Sequence, residues 1–495
     1  MRYVGALNRH GGPILAAAFI VLQLADVMTY PLFVYDEALL NDAGWQLVST
    51  GRFRADILSI NPGFDNHYLW QPPGLPLAAA VSYELFGLGI WQTRLPDILF
   101  GGGGVWAVFA LTRSIGTGCV APWVAALLIF FWPEWVLTAK ESRMDTAAIL
   151  GLLLSTHLSV HALCSPGSLV RKTLFLAGLC ASVATIFHTT ALLWAGSIGI
   201  LVFAFSRDRL KCTLVFGIGA ALLSAAWLAY ALQFPSEFYA QYLTLLLNRT
   251  GEGGVLQRLV AEGERYVREF ARLPAVYVAL LVGAGGLVAQ RRWSDRPVLI
   301  LLVLTGLVFL MHGLVAGKNS GFYSLYPMTL AFCLLGIGID AVLARADAVP
   351  GRRWITAGSL TVVAALLVNL AIFSVGPRVA AFWFQGATRD YALQLEGLSS
   401  RLSPGDQVWG TAVAWLAVIK AGARLDALEW VPRAVDPRPD PMKHKYVVVF
   451  RGDDFPGTEA YRKIAEIGSQ PPRVFGASLT NKPYTFDLWR SHSMP

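Results

Sequence analysis

Residues 13–37 read PILAAAFIVLQLADVMTYPLFVYDE. The run from Pro13 to Val34 is long enough to cross a bilayer as a helix, which takes about 20 apolar residues. It ends directly on Tyr35-Asp36-Glu37. Two adjacent carboxylates are thereby fixed at the membrane–water boundary, where charge is costly to place and raises a functional question. A second charged group, Lys140-Glu141-Ser142-Arg143-Met144-Asp145, stands between two later apolar runs. The chain reads as a scaffold that brings these two groups together.

Composition agrees with a membrane scaffold. Of 495 residues, 55% are hydrophobic and 15% charged, and mean hydropathy is +0.52; soluble domains carry roughly 25% charged residues. The formal charge of +8 points to basic loops on one membrane face and not to nucleic acid. Cys119, Cys164, Cys180, Cys212 and Cys333 are scattered without metal-ligand spacing and read as small buried residues. No small-residue cleavage site closely follows the first run, so it reads as an uncleaved anchor.

Ten further apolar runs follow: Leu95 to Thr112, Val120 to Leu137, Met144 to Cys164, Thr173 to Phe187, Thr189 to Phe205, Cys212 to Leu232, Val276 to Ala289, Pro297 to Ala316, Phe322 to Leu343 and Trp354 to Val375. Basic residues cluster in alternate loops, at Arg113, Arg171-Lys172, Arg207 to Lys211, Arg291 to Arg296 and Arg345 to Arg353. The positive-inside rule makes that face cytoplasmic. The parity holds only if Leu75 to Trp91 does not span, so this segment is expected to lie along the outer surface as an amphipathic helix. The expected architecture is all-α and polytopic, with about eleven spans. Residues 1–375 form the membrane module, whose outer loop 35–92 carries the acidic motif and two juxtamembrane helices. Residues 376–495 are expected to form a small extracytoplasmic α/β domain. There, Tyr446 to Phe450, Pro472 to Phe475 and Tyr484 to Trp489 read as strands, and Tyr391 to Arg401 and Thr458 to Ile467 as helices.

The chemistry-bearing residues all map to the outer side. Asp36 and Glu37 fit a carboxylate that accepts a proton from an acceptor, and they fit equally an N-terminal cap on the helix that follows. Lys140, Glu141, Arg143 and Asp145 crowd a short outer loop where cations need a reason. Anion binding is one reason, mutual salt bridging another. Lys318 is a lone cation in a tight outer turn before Tyr323. It reads as a phosphate contact or as a side chain snorkelling to the interface. His67, Tyr68 and Arg94 suit a carbohydrate or headgroup site, and an aromatic interface belt accounts for Tyr68 as well. His188 reads as a satisfied core histidine. No P-loop, dinucleotide fingerprint or HExxH is present, so a sugar substrate would have to arrive on a lipid phosphate.

Taken in order, Tyr35-Asp36-Glu37, Gln71-Pro72-Pro73-Gly74-Leu75-Pro76, Arg94, Arg143-Met144-Asp145 and Lys318 before Tyr323-Ser324-Leu325-Tyr326-Pro327 are similar to the motifs of GT-C membrane glycosyltransferases. The resemblance is to the branch of the dolichyl-phosphate-mannose–protein mannosyltransferases and lipid A aminoarabinose transferase. It implies a polyprenyl-phosphate-linked sugar donor and inversion at the anomeric carbon. It implies Asp36 as general base or acceptor-orienting group and Asp145 in a supporting role, with Arg143 and Lys318 at the donor phosphate; Glu37 is further expected to assist the base or bind the sugar, and Lys140 to join the phosphate contacts. His67, Tyr68, Arg94, Glu141 and Tyr323 would contact substrates. A divalent cation (Mg, Mn or Zn) held by Asp36 and Asp145 is a further expectation. The acceptor would be lipid A, a polysaccharide or a protein outside the cytoplasmic membrane. The competing reading is a flippase for a lipid-linked glycan. That reading expects midplane charges and internal repeats, neither of which the sequence contains.

Overall fold

The first apolar run folds as helix α1, Arg2–Ala25, and leaves the helix nine residues before Val34. In this computed structural model the described residues are 2–61, 63–116, 118–165, 169–244, 254–270, 274–315, 321–348, 353–428, 444–474, 476, 478 and 483–493. Asp26, at the exit of α1, accepts a two-pronged ion pair from Arg378 at 2.9 and 2.6 Å and a contact from Lys140. The chain then runs to α2, Tyr35–Thr50. Gly51 closes α2 in the left-handed conformation (φ +71°), as helix C-termini favour.

Helix α3, Gly74–Phe86, is about 20 Å long at 1.5 Å per residue, too short for a hydrocarbon core of about 30 Å. Leu77, Val81 and Leu85 form an exposed apolar stripe at helical spacing, and Leu75, Ala79 and Tyr83 pack inward. Helices α2 and α3 touch so closely that a Cβ on Gly44 would stand 2.5 Å from the Pro76 carbonyl oxygen. This is the expected arrangement of two short helices in the first connecting segment.

Then come α4 (Ile90–Ile115), α5 (Val120–Phe130), α6 (Pro133–Thr138), α7 (Asp145–Cys164), α8 (Val170–Phe187), α9 (Ala191–Phe205) and α10 (Arg209–Ala231). The run Val120 to Leu137 is two helices, because Pro133 starts a new one after an extended Trp132; proline favours the first helical position. The split at His188 is real, with α8 ending there. Longer apolar helices follow at Pro274–Ala289, Arg296–Val315, Leu325–Ala348 and Arg353–Arg389. Among the described residues, seven helices are long and apolar enough to cross a membrane, and five shorter apolar ones, α3 included, accompany them. The protein is a multi-pass membrane protein.

Residue 375 is not a break: one helix of 37 residues runs through it from Arg353 to Arg389. Beyond a short helix at Tyr391–Ser399 lies a mixed five-stranded sheet, order β2-β1-β3-β5-β4. Its strands are β1 Gln407–Gly410, β2 Arg424–Ala427, β3 Tyr446–Phe450, β4 Tyr461–Ile467 and β5 Phe486–Ser491. β1 runs parallel to β2 and β3, and β5 antiparallel to β3 and β4. The expected helix Thr458 to Ile467 is therefore overturned. Lys463, Ala465 and Glu466 favour helix locally, but pairing with β5 overrides propensity, helped by Lys463 bridging Asp487 at 3.0 Å. Of the expected strand Pro472 to Phe475, Val474 is the single bridge residue among the described residues, and Phe475 lies outside them.

Candidate active site

The two carboxylates at the start of α2 do different work. Glu37 is fully buried, and its carboxylate accepts from Arg94 Nε and Nη2 at 2.8 and 2.7 Å. It also accepts from the Val34 amide at 3.1 Å, which caps the helix. Arg94, on α4 and equally buried, donates its remaining prong to the Val27 and Pro31 carbonyls at 2.7 and 3.1 Å. Burial pushes the Glu37 carboxyl up, and Arg94 draws it back. The pair ties the segment after α1 to α2 and α4, with both charges buried.

Asp36, one residue earlier, turns outward and is about one-third exposed. Arg143 Nη1 donates to its Oδ2 at 2.7 Å, and Arg143 Nε lies 3.4 Å from Asp145 Oδ2. Asp145 begins α7 and is fully buried. Its Oδ1 accepts from the Tyr326 hydroxyl at 3.2 Å, and His188 Nε2 stands 3.9 Å away. His188 Nδ1 accepts from the Thr190 amide at 2.9 Å, which places the proton of a neutral ring on the Nε2 that faces Asp145. A line of charge thus runs from buried Asp145 through Arg143 to exposed Asp36, bringing together residues 107 positions apart. Burial works against the charge on the Arg143 guanidinium, but the carboxylates of Asp145 and Asp36 outweigh it and push its pKa up.

The connection between α6 and α7 owes its shape to Ser142, whose φ of +44° is rare for a non-glycine residue and costs about 1–3 kcal/mol of strain. Its hydroxyl donates to the Thr93 carbonyl at 2.7 Å. Glu141 sits beside Arg143, its carboxyl pushed up to about 7 by burial and by Glu37.

The other expected site residues are distributed differently. Lys140 is fully buried against Asp26, so its charge is spent within the protein. His67 Nδ1 lies 2.7 Å from Glu237 Oε2, and its ring stacks on Phe234 at 3.6 Å. These contacts join the first connecting segment to the chain after α10. Tyr68 is buried edge-on to Phe53 and Trp70 and is core. Tyr323 packs edge-on to His188 at 5.8 Å, which brings it to the Asp145 end. Lys318 lies outside the described residues. Sequence reasoning gave His188 a core role and Tyr326 none; both converge on Asp145, and the signal available for Tyr326 was its place in the motif after Lys318.

Asp36 and Asp145 do not fit as ligands of one shared cation in this arrangement, because the Arg143 guanidinium bonds both carboxylates and would repel a metal. Among the described residues no group of three or more His, Cys, Asp and Glu side chains is placed to hold a metal ion.

No protein-family model and no curated sequence matches the chain; solved structures do. The chain is similar to ArnT from Cupriavidus metallidurans bound to undecaprenyl phosphate, with TM-score 0.61 and 15% identity, covering 97% of this chain and 98% of that one. It is similar to the archaeal oligosaccharyltransferase AglB from Archaeoglobus fulgidus in complex with an inhibitory peptide and a dolichol-phosphate (TM-score 0.50, 11% identity, 90% and 70% covered). A third likeness is to the arabinofuranosyltransferase AftD from Mycobacteria (TM-score 0.50, 15% identity), where 97% of this chain covers 41% of that one. All three are GT-C glycosyltransferases, and the chain has the GT-C membrane-glycosyltransferase fold.

Proposed function

We propose that the protein is an inverting glycosyltransferase that moves a sugar from a polyprenyl-phosphate carrier to a lipid, polysaccharide or protein acceptor. The observation that carries this reading is the Asp36–Arg143–Asp145 line, buried at one end and open to substrate at the other. The likeness in fold to ArnT bound to undecaprenyl phosphate supports the choice of donor. The parity of loop charges supports the outer face of the cytoplasmic membrane as the place of reaction.

Asp36 accepts the proton of the acceptor hydroxyl through its exposed edge. The acceptor oxygen bonds the anomeric carbon from the face opposite the phosphate. The bond from that carbon to the phosphate oxygen breaks, and the oxygen keeps the electron pair. Arg143 stabilises the charge that develops on the leaving phosphate. Asp145, fixed by Tyr326, holds Arg143 in position. Glu37 and Arg94 keep α2 in register beneath the site without taking part in the displacement.

The test is Asp36→Asn, assayed with the full chain in liposomes for transfer from a polyprenyl-phosphate sugar. Loss of a general base lowers turnover about a hundred- to ten-thousand-fold. Turnover near that of the wild type would remove Asp36 from the base role.

A further inference from the structure

At the far end of the helix bundle a separate cavity opens where α7 ends and α8, α10 and the helix Arg296–Val315 begin. α7 has 20 residues from Asp145 to Cys164, so this end lies about 30 Å along the helix from the Asp145 site. The cavity measures about 400 Å³, and its walls include Leu163, Arg171, Phe205, Ser206, Arg207 and Arg296. We propose that it binds the phosphate headgroup of an anionic glycerophospholipid.

Three features point there together. Three arginines, Arg171, Arg207 and Arg296, line the cavity from three different parts of the chain, with Asp208 the single carboxylate among the described lining residues. Arg296 is anchored by a 2.8 Å bond from Nη2 to the Phe205 carbonyl. Arg171 and Arg207 are exposed and have no ion pair among the described residues. The Ser206 hydroxyl is buried in the wall of this corner with no hydrogen-bond partner among the described residues. Three helices also begin beside this cavity, at Val170, Arg209 and Arg296, and the partial positive charge of a helix N-terminus favours an anion.

The rest of the wall selects lipid over free phosphate. Leu163, Val170 and Phe205 line it, and Leu169, Phe203 and Leu210 beside it are exposed apolar side chains. An acyl chain leaving the headgroup meets this surface, whereas inorganic phosphate leaves it unused. Basic pockets between spans on the positively charged face hold anionic headgroups in this way. The site is remote from Asp36, so its test does not depend on transferase activity.

The experiment measures adducts by native mass spectrometry of the full-length protein in detergent. The probes are dihexanoyl phosphatidylglycerol, dihexanoyl phosphatidylcholine and inorganic phosphate. One tight phosphatidylglycerol adduct is expected, with phosphatidylcholine and phosphate weaker. The double variant Arg171→Gln/Arg207→Gln is expected to bind phosphatidylglycerol about 30-fold more weakly, at the usual surface attraction of one basic residue each. The charge-keeping pair Arg171→Lys/Arg207→Lys controls for folding and is expected to retain most of the affinity. Equal binding of the two lipids, or a double Gln variant that binds as the wild type does, overturns the proposal. Inorganic phosphate binding as tightly as phosphatidylglycerol overturns the lipid assignment.

Discussion

Arg94 makes four hydrogen bonds from one side chain, two to Glu37 and two to backbone carbonyls. Lysine has no planar fork and cannot reproduce them. Breaking one partner of a buried pair leaves an uncompensated charge, at a cost of about 3–5 kcal/mol. Arg94→Met is therefore expected to lower thermal stability by about that much. The double variant Arg94→Met/Glu37→Gln should recover part of the loss, and a double variant as unstable as the single one would argue against the pair as the cause. Glu141 supplies a pH prediction. Its folded value of about 7 lies above the ordinary carboxylate value, so it is neutral below that pH and anionic above it. Its contribution to stability is complete below its unfolded value of 4.5 and is lost as pH rises through about 7. Above it, a third carboxylate beside Arg143, after Asp36 and Asp145, competes with the donor phosphate. The donor KM is expected to rise as pH passes upward through about 7, and Glu141→Gln to abolish the rise; a wild-type KM that stays flat there disconnects Glu141 from donor binding. The sequence singled out Asp36-Glu37 but not their division of labour. That division depends on Arg94, 57 positions from Glu37, and on the left-handed Ser142 that sets Arg143 opposite Asp36, neither of which leaves a local pattern.

At the scale of elements, α3 is the piece on which topology turns. Its exposed stripe and its packing on α2 and α4 fit a helix lying in the membrane plane. Ser49 and Glu84 are exposed on α2 and α3, so Ser49→Cys and Glu84→Cys are both expected to react with a membrane-impermeant maleimide from the same side of sealed vesicles. Labelling from opposite sides would show that the chain crosses between them. Apolar length and loop charge made these elements legible in the sequence. The breaks were harder to read. Ala25 ends the first helix early because the chain turns to offer Asp26 to Arg378 and Lys140, a reason held 352 positions away in the case of Arg378. Strand β4 is helix-like by composition and becomes a strand because β5 offers an unpaired edge.

The molecule as a whole joins its two halves through α2 and the segments on either side of it. Asp42 accepts from Trp415 Nε1 at 2.8 Å and from the Ile57 amide at 3.0 Å. Ser59 donates to Asp426 at 2.6 Å, and the Tyr484 hydroxyl meets the Phe33 amide. Removing a buried acceptor from its donors costs about 1–3 kcal/mol. Asp42→Ala is expected to destabilise the protein by that amount and to speed proteolysis within residues 390–493 before the membrane helices are cut; simultaneous cutting of both parts would mean that the sheet is held by other contacts. The composition shift after Val375 announced a second unit, but nothing local announced its seat against α2. The helix Arg353–Arg389 has 37 residues, about 55 Å of rise, against a hydrocarbon core of about 30 Å. It is pinned near its far end by Arg378 to Asp26 and to the Leu22 carbonyl. It therefore acts as a ruler: the height at which the sheet sits over the helix bundle is gauged by the protein's own backbone, so a thinner or thicker bilayer changes how deeply the bundle sits but not the distance between bundle and sheet.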